Sequence, residues 1–431
     1  MNFDRMKTLL IDRALQGQLV SNLQDFDPVD CSNDGELPFS IPKKWRVVSL
    51  DNLSTKITDG EHKTPSYQQE GIPFLSVKNI SSGKVSFDDV KYITTEDYKL
   101  FSKRCNPEKG DLLITKVGTT GVPAIVPNER EFSLFVSVAL LKLDASKVFN
   151  EYLYYVVLSS YFQKHVKATT RGLNKNWVIK EIKATLVPVP PLEEQRLIAQ
   201  RLKELFIEID RAEKAYQELQ TLSCVLRGQI LQEAIQGKLV PQLDSEEEVQ
   251  QIGDAPEDVP FAIPEKWKWY SAKDVYQLLS GRDLTKSEIL EIKPNEQSFP
   301  YITGASQIHD SSIVINRWTK ECVVKSQIGD LLLTCKGTVG KTAINTVGDL
   351  HIARQIMALR PNKSVMSVAF LRLFIDTLSK RLAREAKSMI PGIDRKALMS
   401  KPVPVPPLQE QKRIVEMVDE LFKQVEALSS K

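Results

Sequence analysis

From Leu192 to Gln236 the chain contains no proline and a single glycine, Gly228. Across that stretch apolar side chains step by four and three: Ile198, Leu202, Leu205, Ile209, Ala212, Tyr216, Leu219, Leu226 and Ile230, interrupted at Ser223. A step averaging three and a half residues is the seam of a coiled coil. The spacing predicts one long helix, about 67 Å at 1.5 Å per residue. It opens after Pro190 and Pro191, which suit a helix start, and closes near Gly237. A second seam, Ile414, Val418, Leu421, Val425 and Leu428, follows in the same register 216 residues later. Elsewhere the pattern changes to short apolar runs bounded by Gly, Pro, Asn and Asp: 72–77, 111–115, 136–143 and 330–334. These read as strands, with helical patterns near 148–167 and 367–386.

The chain is also duplicated. VPVPPLEEQ at 187–195 returns as VPVPPLQEQ at 403–411, and GDLLITKVGTTG at 110–121 as GDLLLTCKGTVG at 329–340. LPFSIPKKW at 37–45 returns as VPFAIPEKW at 259–267, and ALQGQLV at 14–20 as AIQGKLV at 234–240. Four matches in one order, at offsets of 216 to 222, establish an internal repeat. Its register is shifted cyclically. Lys431 corresponds to about residue 215, whereas the start of the chain corresponds to residue 221 onward. The second copy lacks the distal half of its helix, and the N-terminal segment supplies it. Residues 1–20 are therefore expected to pack beside or continue the helix ending at Lys431, so that the termini meet. The expected fold is α+β: two strand-rich domains, 21–186 and 241–402, separated by an antiparallel coiled coil of two long helices with pseudo-two-fold symmetry. Helical segments 1–20, 187–240 and 403–431 complete that expected layout.

Charge sharpens this picture. The net charge of +3 divides into +7 over residues 41–186, +9 over 263–402 and −13 elsewhere. Two basic blocks on an acidic frame suit two polyanion-binding modules. The five cysteines form no C-x-x-C pair and the four histidines no H-x-x-x-H pair, so neither a disulfide framework nor a metal site is expected. No apolar run reaches about eighteen residues and the N-terminal segment is polar, which predicts a cytoplasmic protein.

Catalytic motifs are missing. Gly340-Lys341-Thr342 resembles the end of a phosphate loop, but Cys335 stands where the first glycine belongs and the other copy reads Gly121-Val122-Pro123. No glycine-rich cofactor fingerprint, Asn/Asp-Pro-Pro-aromatic tetrapeptide or helicase-type acidic box occurs. What remains is polar and basic, at the ends of the expected strands. The first block offers Thr58, Asp59, His62, Lys63 and Thr64, then Lys78 and Asn79, Lys116, Thr119 and Thr120, and Arg171, Asn174 and Lys175. The second offers Arg282, Gln307, Lys336, Thr338 and Lys341, then Arg354 and Gln355, and Arg395 and Lys396. Arg, Lys, Asn, Gln and His pair with base edges, while Thr and Lys hold phosphates, so these are the candidate DNA-binding residues. Two rival classes stay open: an autonomous methyltransferase or NTPase with drifted motifs, and a coiled-coil adaptor that never touches nucleic acid.

The doubled VPVPPL-[EQ]-E-Q junction, the doubled PF-x-IP-x-KW string, the doubled GDLL segment and the cyclic shift resemble the specificity subunits of Type I restriction-modification systems, the HsdS family. The resemblance spans the whole chain. It implies two target-recognition domains reading the halves of a split double-stranded DNA site, held apart by the coiled coil. It also implies a non-catalytic chain without cofactor. S-adenosylmethionine, ATP and magnesium would belong to partners, two modification and two restriction subunits.

Overall fold

A computed structural model describes residues 2–20, 26–128, 130–172, 176–292, 297–309, 311–385 and 392–430. The chain divides into two units, Met1–Ala215 and Tyr216–Lys431. The division falls inside the central helix, Leu192–Ile235, whose 44 residues match the expected span to within one residue. Met1 and Lys431 lie outside the described residues, and so does the expected meeting of the termini.

Each unit pairs one half of the central helix with a terminal helix. In the first unit, helix Phe3–Ala14 is capped by Asn2, whose side chain accepts from the Arg5 amide at 2.9 Å. Its Ile11, Ala14 and Leu15 share a core with Ile198, Ala199 and Leu202. Lys7 pairs with Asp210 and lies over the Phe206 ring, so the two helices run antiparallel. In the second unit Ile230, Leu231, Ala234 and Ile235 share a core with Ile414, Val418 and Val425 of helix Leu408–Ser430. There Arg227 pairs with Glu426 and lies over Phe422. The ion pair and the cation–π contact thus recur at equivalent positions. Helix 3–14 gives the first unit what the second half of the central helix gives the second, which is the cyclic shift in physical form.

The seam is buried at Ile198, Leu202, Ile209, Ile230, Ile414, Val418 and Val425, and half-buried at Leu205, Leu219 and Leu421. Ala212, Leu226 and Leu428 depart from expectation: Ala212 is exposed, and the two leucines are 41% and 62% exposed. A straight helix turns 3.6 residues per turn and drifts from a strict 3.5-residue repeat. By residue 227 the buried edge has moved on by one position, and the Arg227 stem lies where Leu226 was expected. Leu428 stands beyond the last buried position of its helix, Val425.

Four antiparallel strands form the main sheet of the first unit, in the order Ser54–Asp59, Val138–Leu143, Leu112–Thr115, Pro123–Ile125. The second unit repeats it as Tyr276–Ser280, Ile356–Pro361, Leu331–Thr334, Thr342–Ile344. The GDLL run is apolar throughout because both faces of its strand are covered. Leu112 and Ile114 join the helical core while Leu113 joins a smaller core on the other side, as Leu331, Leu333 and Leu332 do in the second unit. Its aspartate also recurs, Asp111 bound to Lys142 and Asp330 to Arg360, both at 2.8 Å. A smaller sheet, built on Ile72–Leu75 or Phe299–Ile302, completes each unit.

The remaining repeated strings meet at one clasp per unit. Strand Arg46–Ser49 pairs with Leu186–Val189, and Lys268–Tyr270 with Val403–Val405. Gly17 and Gly237 end their helices at φ +71° and +69°, where a Cβ would collide with the ring of Pro42 or Pro264. Gln195 is fully buried and makes three hydrogen bonds: its Oε1 accepts from the Phe149 amide at 2.7 Å, and its Nε2 donates to Lys147 O and Pro190 O at 2.9 Å. Gln411 repeats all three with Ser367, Val365 and Pro406. The neighbouring Glu194 is buried and accepts from the Trp45 indole at 3.1 Å. Burial raises its carboxyl pKa against the opposing effect of that bond, and Glu410 is raised for the same leading reason. The anchors shared by the two copies thus mark the joint between helix and domain.

Candidate nucleic-acid interface

The polar clusters of the first block converge at one end of its main sheet. Lys116, following strand Leu112–Thr115, donates its amide to Ser137 O at 2.9 Å and accepts at its carbonyl from the Trp177 amide at 2.8 Å. Ser137 Oγ accepts from the Val77 amide at 3.1 Å, and the Glu61 amide reaches Leu134 O at 2.7 Å. Loops far apart in sequence, from Glu61 to Trp177, therefore form one face. Lys63, Thr64, Lys78, Thr119 and Arg171 are exposed on these loops, while Thr58 and Thr120 are half-buried. Lys78 pairs with Asp89 and Arg171 with Glu181, both in the open, where such pairs are weak. Asn174 and Lys175 lie outside the described residues.

The second unit assembles the same way. The Cys335 amide donates to Gln355 O at 2.8 Å, the Ile393 amide to Cys335 O at 3.0 Å, and the Arg282 amide to Ile352 O at 2.9 Å. Arg282, Lys336, Thr338, Lys341, Arg354, Gln355, Arg395 and Lys396 are exposed there. Lys341 is turned partly inward, its Nζ donating to Ala305 O and Ile308 O at 3.3 and 3.1 Å. The adjacent Thr342 hydroxyl donates to Asp376 at 2.6 Å, so the Gly-Lys-Thr string serves the fold rather than a nucleotide.

Four candidates are buried and occupied by the protein itself. Asp59 is 4% and Lys116 5% exposed, joined by an ion pair of 2.9 Å. Burial alone would raise the Asp59 carboxyl, but hydrogen bonds from Lys116 and His62 and the Lys116 and Arg104 charges outweigh it and hold it below the usual carboxylate range. Asn79 Oδ1 accepts from the Ser76 amide at 3.1 Å and its Nδ2 donates to Asp88 O at 3.2 Å. Gln307 does the equivalent work, its Oε1 accepting from the Thr303 amide at 2.7 Å and its Nε2 donating to Tyr301 O at 3.0 Å. Polar residues at strand ends satisfy backbone groups as readily as they face a ligand, and the two uses look alike in sequence. His62 stays exposed, 3.1 Å from Asp59.

Sequence reasoning missed Arg104 and, while naming Arg282, gave no role to the neighbouring Asp283. Arg104, just after helix Thr95–Ser102, reaches across to bond Asp59 and His62. Asp283 binds Arg354. Arg104 lies away from any strand end, so no local pattern singled it out. Among the described residues no cluster of His, Cys, Asp and Glu could hold a metal ion, and no helix is long and apolar enough to cross a membrane.

Two copies of one frame, each presenting a basic loop face of its own composition, define a duplicated recognition protein. The family model of the Type I restriction modification DNA specificity domain matches residues 42–221 and 264–431, and the chain belongs to that family, the non-catalytic DNA-recognition component of such systems. It is similar to the Type I restriction enzyme EcoBI specificity subunit of Escherichia coli, 22% identical over 90% of this chain and 81% of that protein. It is also similar to the EcoKI specificity subunit of Escherichia coli strain K12, 24% identical over 89% and 83%. A solved chain from a study of complex assembly and conformational transition of the type I R-M system shares the fold, with a TM-score of 0.72 at 20% identity over 91% of this chain and 94% of that one. The HsdS subunit of Thermoanaerobacter tengcongensis aligns with a TM-score of 0.56, also at 20% identity, over 91% and 92%.

Proposed function

We propose that this chain reads a bipartite, asymmetric DNA site within a Type I restriction-modification complex. Each unit contacts one half-site through its loop face, and the central helix sets the unread spacer between them. Two modification subunits dock on the chain, bind S-adenosylmethionine and methylate adenine within the half-sites. Two restriction subunits add translocation and cleavage driven by ATP with magnesium. One observation carries this reading: the frame residues recur position by position, whereas most charged residues of the loop faces do not. By the matching backbone bonds, Glu61 and His62 on one face stand where Arg282 and Asp283 stand on the other, and Lys116 stands where Cys335 does. A repeated mount with two different surfaces suits a site whose halves differ, where a palindrome would favour two identical surfaces.

Mapping methylated adenines in cells that carry this chain with its modification subunit tests the proposal. Two half-sites at one fixed separation are expected, and a single unsplit motif would refute it. Exchanging residues 41–186 for the corresponding block of a relative should alter one half-site alone. Inserting seven residues, two helical turns, into 192–236 adds about 10 Å, or about three base pairs, to the spacer. Unchanged spacing after that insertion rules out the helix as the ruler.

A further inference from the structure

Each unit braces one exposed arginine with an aspartate on its loop face. In the second unit Arg354 follows strand Leu350–Ile352, and its main chain is held from two sides. Its amide donates to Asp283 Oδ1 at 3.1 Å, and its carbonyl faces Cys335 Sγ at 3.6 Å. The neighbouring Ala353 amide donates to Ile302 O at 2.9 Å. The second oxygen of Asp283 pairs with Arg354 Nε at 2.7 Å. One carboxylate thus hydrogen-bonds the backbone and ion-pairs the side chain of the same residue. The Arg354 side chain is 68% exposed and that of Asp283 45%, and an ion pair in such surroundings adds little to fold stability. The arrangement therefore needs another reason.

Because Nε carries the ion pair, the edge formed by Nη1 and Nη2 lies outside it. That edge offers two parallel donors, the pattern that matches O6 and N7 of guanine in the major groove. A phosphate clamp has no use for the brace, since the adjacent carboxylate cancels the attraction that a phosphate would feel. Preorganising a side chain lowers the cost of ordering it on binding and narrows what it can pair with. The first unit uses a related device. Asp59 holds Arg104, with buried Lys116 as the counter-charge. The two aspartates stand on either side of one repeated glycine at the same strand exit, Asp59 just before Gly60 and Asp283 two residues after Gly281, where a Cβ would collide with the backbone at 134–135 or 352–353.

We propose that Arg354, positioned by Asp283, reads a guanine in the half-site of the second unit. This rests on the DNA-reading function argued above. The test uses the full chain with its modification subunit, a plasmid library randomised across both half-sites, and sequencing of methylated adenines. The wild-type complex should give a split motif with a G·C pair in the second unit's half. R354A, R354K and D283N should each lose preference at that one position by roughly 5- to 150-fold, the range of one good bidentate contact, leaving every other position unchanged. R354K keeps the charge but not the fork, so it should bind DNA with a salt dependence close to that of wild type. A split motif that R354A leaves intact, with methylation weakened evenly across all sites, overturns the inference alone. So does a second half-site without a G·C pair. A wild-type complex with no split motif overturns the functional reading and takes this inference with it.

Discussion

Replacing Gln195 by alanine should disconnect the central helix from the first unit. The amide is fully buried and serves the Phe149 amide, Lys147 O and Pro190 O at 2.7 to 2.9 Å. An orphaned buried polar group costs about 1–3 kcal/mol. The bond to Pro190 O is fully buried and the other two are partly so, which places the polar loss near ~3 kcal/mol, at the low end of that range per group. The void left by the lost methylene and carboxamide adds about 1 kcal/mol. For a unit of this size each kcal/mol moves the melting temperature by about 2–4 °C, so Q195A should melt roughly 8–16 °C lower. Differential scanning calorimetry of the purified chain would measure the shift. Q200A is the control: Gln200 lies on the exposed side of the same helix, bonded only to Glu204, and should move the transition by no more than about 1 °C. If Q195A melts with Q200A, the clasp does not depend on the amide and the argument from the repeated glutamines fails.

Glu194 offers a pH test with a defined sign. Its folded carboxyl holds a proton more tightly than the unfolded one, so the ionised form costs stability above the folded pKa, and that cost fades as pH falls toward 4.5. E194Q, whose amide oxygen can still accept from Trp45, should therefore melt higher than wild type near neutral pH and lose that advantage on acidification. An advantage that grows as pH falls would show the sign to be wrong. G17A and G237A should each destabilise their unit by at least about 2 kcal/mol in urea unfolding, because both combine a left-handed φ with a collision against a proline ring. DNA affinity should fall steeply and log-linearly with salt, since the lysines and arginines of the two faces displace counterions from phosphates. A flat salt response in filter binding would count against the interface.

The frame was legible in the sequence because each of its anchors has a single physical use. Gly17 and Gly237 need a left-handed φ, Pro190 and Pro191 open a helix, and Trp45 and Gln195 fill one joint. Duplication exposes such residues. The loop faces were legible only as composition. Lys63 and Arg395 do face solvent, yet Asn79 and Gln307 looked equally suited to reading a base and instead hold the protein's own backbone. Whether an amide turns inward depends on the local turn the chain adopts: a short 3-10 turn lets Asn79 accept from the Ser76 amide three residues back and Gln307 from the Thr303 amide four back. Arg104 escaped notice for the converse reason, because Asp59, which gives it meaning, lies 45 residues away. Along the seam the period identified the buried stripe but not its drift, so Leu226 was assigned a place that Arg227 occupies.

The clasp has a consequence for how such a protein can change. Strands Arg46–Ser49 and Leu186–Val189 lie side by side, so the polypeptide leaves the frame and re-enters it at one point. Everything between them is a cassette plugged into a two-pronged socket, and the socket's hydrogen bonds run along the backbone and ignore which cassette they hold. New reading heads can thus arrive by a single exchange of coding sequence between those prongs, with no rethreading of the chain, when the incoming cassette keeps the apolar side chains that pack on the helices, as Tyr155 does on Phe206.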